Sequence, residues 1–251
     1  PDVSGNFDQA AWMQSLDSEQ QDKIAQMESA GQQIASAMES VGVREQTIKA
    51  ELIYVSCFDD VVVDDFNAYA NLFRYAPDDA ALINSINQTY GLEIVYEDFM
   101  RSYALISHVV INPYMFTDAQ TKNSTDLVIW ARQAYENGWG YVYGTYGNIL
   151  TEELLQDRAD LFGEQVTGFE DFIRENWMRR RTADCVGLIK GYGWYNPDSG
   201  EIEVGTNGMA DVTANGMFDA ATVKGTIDTI PETPGLAVWQ DGHIGIYIGN
   251  G

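Results

Sequence analysis

Over the first hundred positions, apolar residues fall at helical separations. Trp12, Leu16, Ile24, Met27, Ile34 and Met38 recur three, four, seven or eight apart, the spacing of one face of an amphipathic helix or helix pair. The run Leu52-Ile53-Tyr54-Val55-Ser56-Cys57-Phe58 reads as a buried element, and its periodicity fits helix and strand equally. Asp59-Asp60 and Asp64-Asp65 frame a further helical stretch through Phe66, Tyr69 and Phe73. Pro77-Asp78-Asp79 reads as a helix start, with proline in a favoured early position and acids facing the positive end of the helix dipole. Gly91 stops that helix, and residues 97–108 supply another. Residues 1–112 are therefore expected to form an all-α domain.

The pattern changes after Asn112-Pro113. Residues 113–125 are polar and read as a linker. Ser124-Thr125-Asp126 offers an N-cap for a helix over 127–137, which Gly138 closes. Beyond it the chain is rich in glycine and aromatic residues and more strand-like, as in Trp139-Gly140-Tyr141-Val142-Tyr143-Gly144-Thr145-Tyr146-Gly147. Helices are predicted over 151–161, 169–178, 186–190 and 217–223. A hairpin is predicted where Gly235-Leu236-Ala237-Val238-Trp239 and His243-Ile244-Gly245-Ile246-Tyr247-Ile248 flank the turn Gln240-Asp241-Gly242. Helices followed by antiparallel strands make residues 126–251 an α+β domain.

Composition narrows the function classes. With 45% hydrophobic and 12% aromatic residues, the chain can build cores. Its 38 acidic and 14 basic side chains give a net charge of −24, which repels nucleic-acid backbones and anionic lipid. No apolar run approaches the roughly 20 residues that span a bilayer. The start Pro1-Asp2-Val3-Ser4-Gly5 lacks the basic-then-apolar pattern of a signal peptide. The paired aspartates lack the alternating ligands and central glycine of a calcium loop and read as capping or solvated charges.

Two cysteines and two histidines are too few for a disulfide framework or a thiolate or histidine metal centre. Cys57 lies in an apolar run and reads as core filler, and His108 reads as structural. Cys185 stands where a polar loop turns into an apolar helix, directly after a capping residue, Asp184. In a first helical turn, unpaired N–H groups and the dipole favour thiolate and can hold an oxyanion. His243, at the start of a strand after a turn, can present an imidazole to that terminus, the minimum apparatus of cysteine nucleophilic catalysis. By local chemistry alone a lone cysteine is more often filler.

Four blocks in order resemble the NlpC/P60 family of papain-like cysteine peptidases, over residues 127–251. They are Gly140-Tyr141-Val142-Tyr143-Gly144-Thr145, Asp184-Cys185-Val186-Gly187, Pro234-Gly235-Leu236 and His243-Ile244-Gly245-Ile246-Tyr247-Ile248-Gly249-Asn250-Gly251. The resemblance implies a papain-like fold and hydrolysis of an amide in a peptidoglycan stem peptide, with no metal or organic cofactor. It implies Cys185 as nucleophile, His243 as base and Tyr141 beside the sulfur. Asp184 is read equally as ligand of the stem peptide's ammonium and as plain N-cap. Arg181, in the basic cluster Arg179-Arg180-Arg181, either meets a stem carboxylate or balances Glu170, Asp171 and Glu175.

The chain departs from the family at three points. Val186 stands where the family has serine, and Leu236 where it has aspartate. The orienting third residue comes, in the family, from the strand after the histidine strand, whereas this chain ends eight residues past His243, so a continuation beyond Gly251 is expected. A secreted or surface-anchored bacterial protein follows from the substrate, with the N-terminal helices a candidate contact for an envelope partner. The alternative is a catalytically silent module of the same fold that binds cell wall or an assembly partner. Acyl transfer is a more distant reading, since nothing marks an acceptor site.

Overall fold

The computed structural model describes residues 9–58 and 61–249, and divides into two compact units, Pro1–Arg101 and Ser102–Gly251. Asp59-Asp60 and Asn250-Gly251 lie outside the described residues. The structure is mostly helical with small antiparallel sheets, which is α+β in the broad sense. Among the described residues no helix is long and apolar enough to cross a membrane.

The first unit contains α1 (Gln9–Ser15), α2 (Ser18–Ser40), α3 (Thr47–Cys57), α4 (Phe66–Tyr75), α5 (Asp79–Tyr90) and the start of α6 (Tyr96–Ser107). The predicted apolar face over 12–38 is broken at Asp17, whose carboxylate caps α2 in a capping box with Gln20. Only the far half of that face is core: Ile34 is 1% exposed, whereas Trp12 is 41% exposed. The run 52–58 is helical, because Ala50 and Ile53 point inward three apart in α3. Tyr69 is fully buried at the centre, edge-on to Phe58, Phe73 and Tyr90, and its hydroxyl donates to the Ala50 carbonyl at 2.9 Å. α5 starts at the predicted place, but Asp78 is its N-cap and Pro77 therefore precedes the helix; Gly91 ends it, as predicted, in the left-handed region at φ 69°.

The second unit continues from α6 through α7 (Ser124–Glu136), β1 (Tyr146–Ile149), α8 (Glu152–Phe162), α9 (Glu164–Thr167) and α10 (Glu170–Trp177). It then runs through β2 (Arg181–Ala183), α11 (Cys185–Trp194), α12 (Ala214–Ala220), β3 (Ala237–Gln240) and β4 (His243–Ile246). The strands form two separate antiparallel pairs among the described residues, β1 with β2 and β3 with β4. The central helix is α11, packed against α7, α12, β1, β2 and β4. The glycine-rich stretch 139–147 is mostly turn, with Gly140 bridging to Thr182 and regular strand beginning only at Tyr146.

Residues 113–125 do not connect the two units. They lie inside the second, and the division falls at Arg101. Phe116 is buried against Tyr192 and Tyr195. The polar residues that suggest a linker are partners of a buried carboxylate. Asp126, 0% exposed, accepts from Thr117 N (2.6 Å), Thr117 Oγ1 (2.8 Å), Asp118 N (3.0 Å) and Asn123 Nδ2 (2.8 Å). Burial pushes the Asp126 carboxyl up, but these four hydrogen bonds outweigh it and hold it below the ordinary range.

A depressed folded value stabilises the unit above the unfolded carboxyl pKa of about 3.9, and that stabilisation is lost as pH falls through the folded value. Asp126→Asn is expected to lower the urea midpoint at pH 7. The gap to wild type should narrow once the pH drops below about 4. A gap that is constant with pH would show that the charge of Asp126 contributes nothing.

Candidate active site

The chain enters the site along β2, which pairs with β1 in the register Tyr146↔Ala183 and Asn148↔Thr182, with a bulge between Tyr146 and Asn148. At Asp184 the backbone is still extended, and the next residue begins α11. The Asp184 carboxylate has two partners. Its Oδ1 accepts from Gly187 N at 2.6 Å, the N-cap bond, and its Oδ2 accepts from Gly144 N at 2.7 Å. Its own N–H donates to the Thr145 carbonyl at 2.9 Å. Asp184 thus joins the α11 terminus to the loop before β1, and both its oxygens already meet backbone N–H groups. Asp184→Ala removes the cap and strands a Gly144 N–H, at a cost of about 2–4 kcal/mol in a chemical denaturation series. A loss below about 0.5 kcal/mol would mean that neither bond matters.

Cys185 is the first residue of α11 and is half-buried. Its side chain packs beside the cluster of Val186, Ile189, Ala214 and Ile244, yet it lines two depressions. One, of about 320 Å³, is walled by apolar residues including Ala131, Leu188 and Ile246, and Tyr141, Asp184, Cys185 and His243 open into it. The other, of about 420 Å³, lies towards α12 and is lined by Tyr143, Phe162, Val186, Lys190, Asp211 and Asn215 among others. Cys185 therefore lines both depressions.

His243 is the first residue of β4, and β3 and β4 pair in the register Gln240↔His243 across the turn Asp241-Gly242. Its neighbour Ile244 is buried while His243 is exposed, the alternation a one-sided strand requires. Tyr141, 46% exposed, lines the same depression as Cys185. Burial, then the neighbouring sulfur and the Asp184 carboxylate, push its hydroxyl well above the ordinary phenol range, so it remains a neutral donor.

Cys185, His243, Tyr141 and Asp184 thus share one cavity, and Arg181 does not join them. Its guanidinium donates to the Val109 carbonyl and, at 2.7 Å, to the Gly147 carbonyl, and it lies over the Trp139 ring. Burial lowers its pKa. Through these bonds Arg181 ties the backbone at Val109 to that at Gly147. Val186 is buried in the core as well as lining the second depression. His108 accepts its structural reading: its Nδ1 meets the Asn137 carbonyl at 2.8 Å.

Sequence reading missed Asn215, Tyr143 and Phe162. The last two form an edge-to-face pair, with ring centroids 5.0 Å apart, that lines the second depression. Phe162 arrives on α8, within the long segment between β1 and β2, so only tertiary packing brings it near Cys185. A larger cavity of about 600 Å³ lies in the first unit between α2 and the start of α4. Its lining, including Ser29, Gln33, Ser36 and Asn67, holds no nucleophile–base pair. Compared with known proteins, the chain matches no family model, no curated protein and no solved structure.

Proposed function

We propose that the second unit is a papain-like cysteine peptidase of the NlpC/P60 type that hydrolyses an amide in peptidoglycan stem peptides. The observation that carries this reading is one cavity into which both the first residue of α11, Cys185, and the first residue of β4, His243, open. The sulfur attacks the substrate carbonyl while His243 takes its proton. The tetrahedral oxyanion is held by N–H groups at the α11 terminus and by the Tyr141 hydroxyl. His243 then protonates the amine as the C–N bond breaks, leaving a thioester. Water, deprotonated by the same imidazole, attacks the thioester and releases the acid and the thiol. Such a substrate lies outside the bacterial membrane, so the protein acts as a secreted or surface protein, with the first unit as its contact to an envelope partner.

One observation favours a silent wall-binding module of the same fold: Asp184 and Arg181, both candidates to meet substrate, are committed to backbone partners. Purified muropeptides incubated with the full chain and with Cys185→Ala, followed by mass spectrometry, separate the two readings. Cleavage products bearing one added water, formed by the parent alone, support the peptidase. Sacculus binding by both proteins with no cleavage by either supports the silent module and rejects catalysis.

A further inference from the structure

The hairpin that presents His243 is short. β4 pairs only with β3 among the described residues, and His243 adjoins the turn, where a two-stranded ladder would fray first. The turn is nevertheless held from outside by one side chain. Asn215, in the first turn of α12, accepts through Oδ1 from Gly242 N at 2.8 Å and from Trp239 Nε1 at 3.1 Å. Its Nδ2 donates to Asp241 Oδ1 at 2.8 Å. Three bonds thus reach both turn residues and Trp239, two positions before the turn.

The helix that carries Asn215 is anchored on the nucleophile's side. α12 is capped by Thr213, whose side chain accepts from Gly216 N, and it packs against both α11 and β4. Ala214, beside Asn215, is buried with Val186 and Ile189 of α11 and Ile244 of β4. Phe218, one turn on, stacks on Trp239 with centroids 3.8 Å apart and planes 13° apart. Through α12, then, the origin of Cys185 and the origin of His243 share one rigid support.

We propose that Asn215 is a positioning residue that sets the His243 imidazole relative to the Cys185 sulfur by clamping the Asp241-Gly242 turn to α12. The proposal rests on the reading of Cys185 and His243 as a working pair. Misplacing a reacting group by about 1 Å can cost about a hundred-fold in rate, so a clamp on the turn is a lever on catalysis without touching substrate.

The test uses the full chain as wild type, His243→Ala, Asn215→Leu, Asn215→Asp, and Asn215→Asp combined with Asp241→Asn. Asn215→Leu removes all three bonds at similar volume. Asn215→Asp sets two carboxylates against each other, and the paired change restores a donor–acceptor match with reversed polarity. The rate of iodoacetamide alkylation at Cys185 near pH 7, read by peptide mass spectrometry separately from Cys57, needs no substrate. Circular dichroism and melting temperature check folding.

Wild type is expected to react faster than His243→Ala. Asn215→Leu should fall to the His243→Ala rate. Asn215→Asp, which keeps acceptors for Gly242 and Trp239 but opposes two carboxylates, should fall part of the way, and the paired variant should recover most of that loss. With muropeptide substrate, kcat should fall about ten- to a hundred-fold in both single variants while KM changes little. Single variants that react at the wild-type rate, or a paired variant that folds without recovering, overturn the role of Asn215 alone. Equal rates in wild type and His243→Ala would overturn the Cys185–His243 pair and this proposal with it.

Discussion

Cys185→Ala is expected to lower stem-peptide hydrolysis by about a million-fold in kcat, the scale seen when a covalent nucleophile is removed. The size follows from the mechanism. Without the sulfur there is no acyl-enzyme, and what remains is substrate binding and oxyanion stabilisation at the α11 terminus, which act on an unactivated water. The loss must come from chemistry and not from unfolding. Cys185 is half-buried, so the change leaves a small void at the edge of the cluster of Val186, Ile189 and Ile244 and should cost about 1 kcal/mol or less. Product release followed by liquid chromatography, with melting temperature measured on the same samples, checks both halves. Equal product from wild type and Cys185→Ala would sink the peptidase, whatever the stability data say.

Gly187→Ala is expected to be among the most destabilising single-methyl additions to the second unit. A Cβ at Gly187 would stand 1.9 Å from the Thr145 carbonyl oxygen and 2.9 Å from Asp184 Oδ1. The carbonyl cannot retreat easily, because it accepts the Asp184 N–H at 2.9 Å, and the Thr145 hydroxyl is itself bonded to the Val142 carbonyl at 2.7 Å. A Cβ at Gly191, on the same face one turn later, would stand equally close to the Tyr146 carbonyl oxygen, at 1.9 Å. The two glycines are what let α11 lie against the backbone at 145–146. Overpacking of this kind costs about 1–3 kcal/mol or more, and displacing the helix would also break the Asp184 cap. For a unit of this size, 3 kcal/mol corresponds to about 6–12 °C in melting temperature. Calorimetry on the full chain reads that shift, and an unchanged transition would mean that α11 does not seat on this loop.

The motif glycine therefore has a packing reason that needs no reference to chemistry. The same holds for its aspartate. Asp184 is legible in sequence as an N-cap, since capping is local and depends on residues within one turn. Its second bond, to Gly144 forty positions away, is not legible, because nothing in the spacing reveals which loop will fold over the carboxylate. The hairpin follows the same division. Its turn is dictated by Asp241-Gly242, with Gly242 at φ 76°, but the clamp from Asn215 is a contact between elements far apart in the chain.

Two expectations failed for a common reason. Residues 113–125 look like a linker, and Arg181 looks like a partner for a stem carboxylate or for Glu170, Asp171 and Glu175, because polar residues are usually solvated. Here the polar atoms are inside. Thr117, Asp118 and Asn123 surround the buried Asp126, and Arg181 spends its donors on the Val109 and Gly147 carbonyls. Composition reports how many polar groups a segment has and is silent on whether water or protein satisfies them.

By itself, then, the amino-acid sequence determined the helices with strong caps, the hairpin, the place of Cys185 at a helix start and that of His243 at a strand start. Each of these depends on dihedral preferences and hydrogen bonds within a few residues. Tertiary structure alone decided that the sulfur and the imidazole open into one cavity, that Phe162 walls the second, and that Arg181 is withdrawn from both. Those outcomes turn on how closely α11 can approach its neighbours. That approach is set by packing across the chain, where one methyl group at Gly187 outweighs any local propensity.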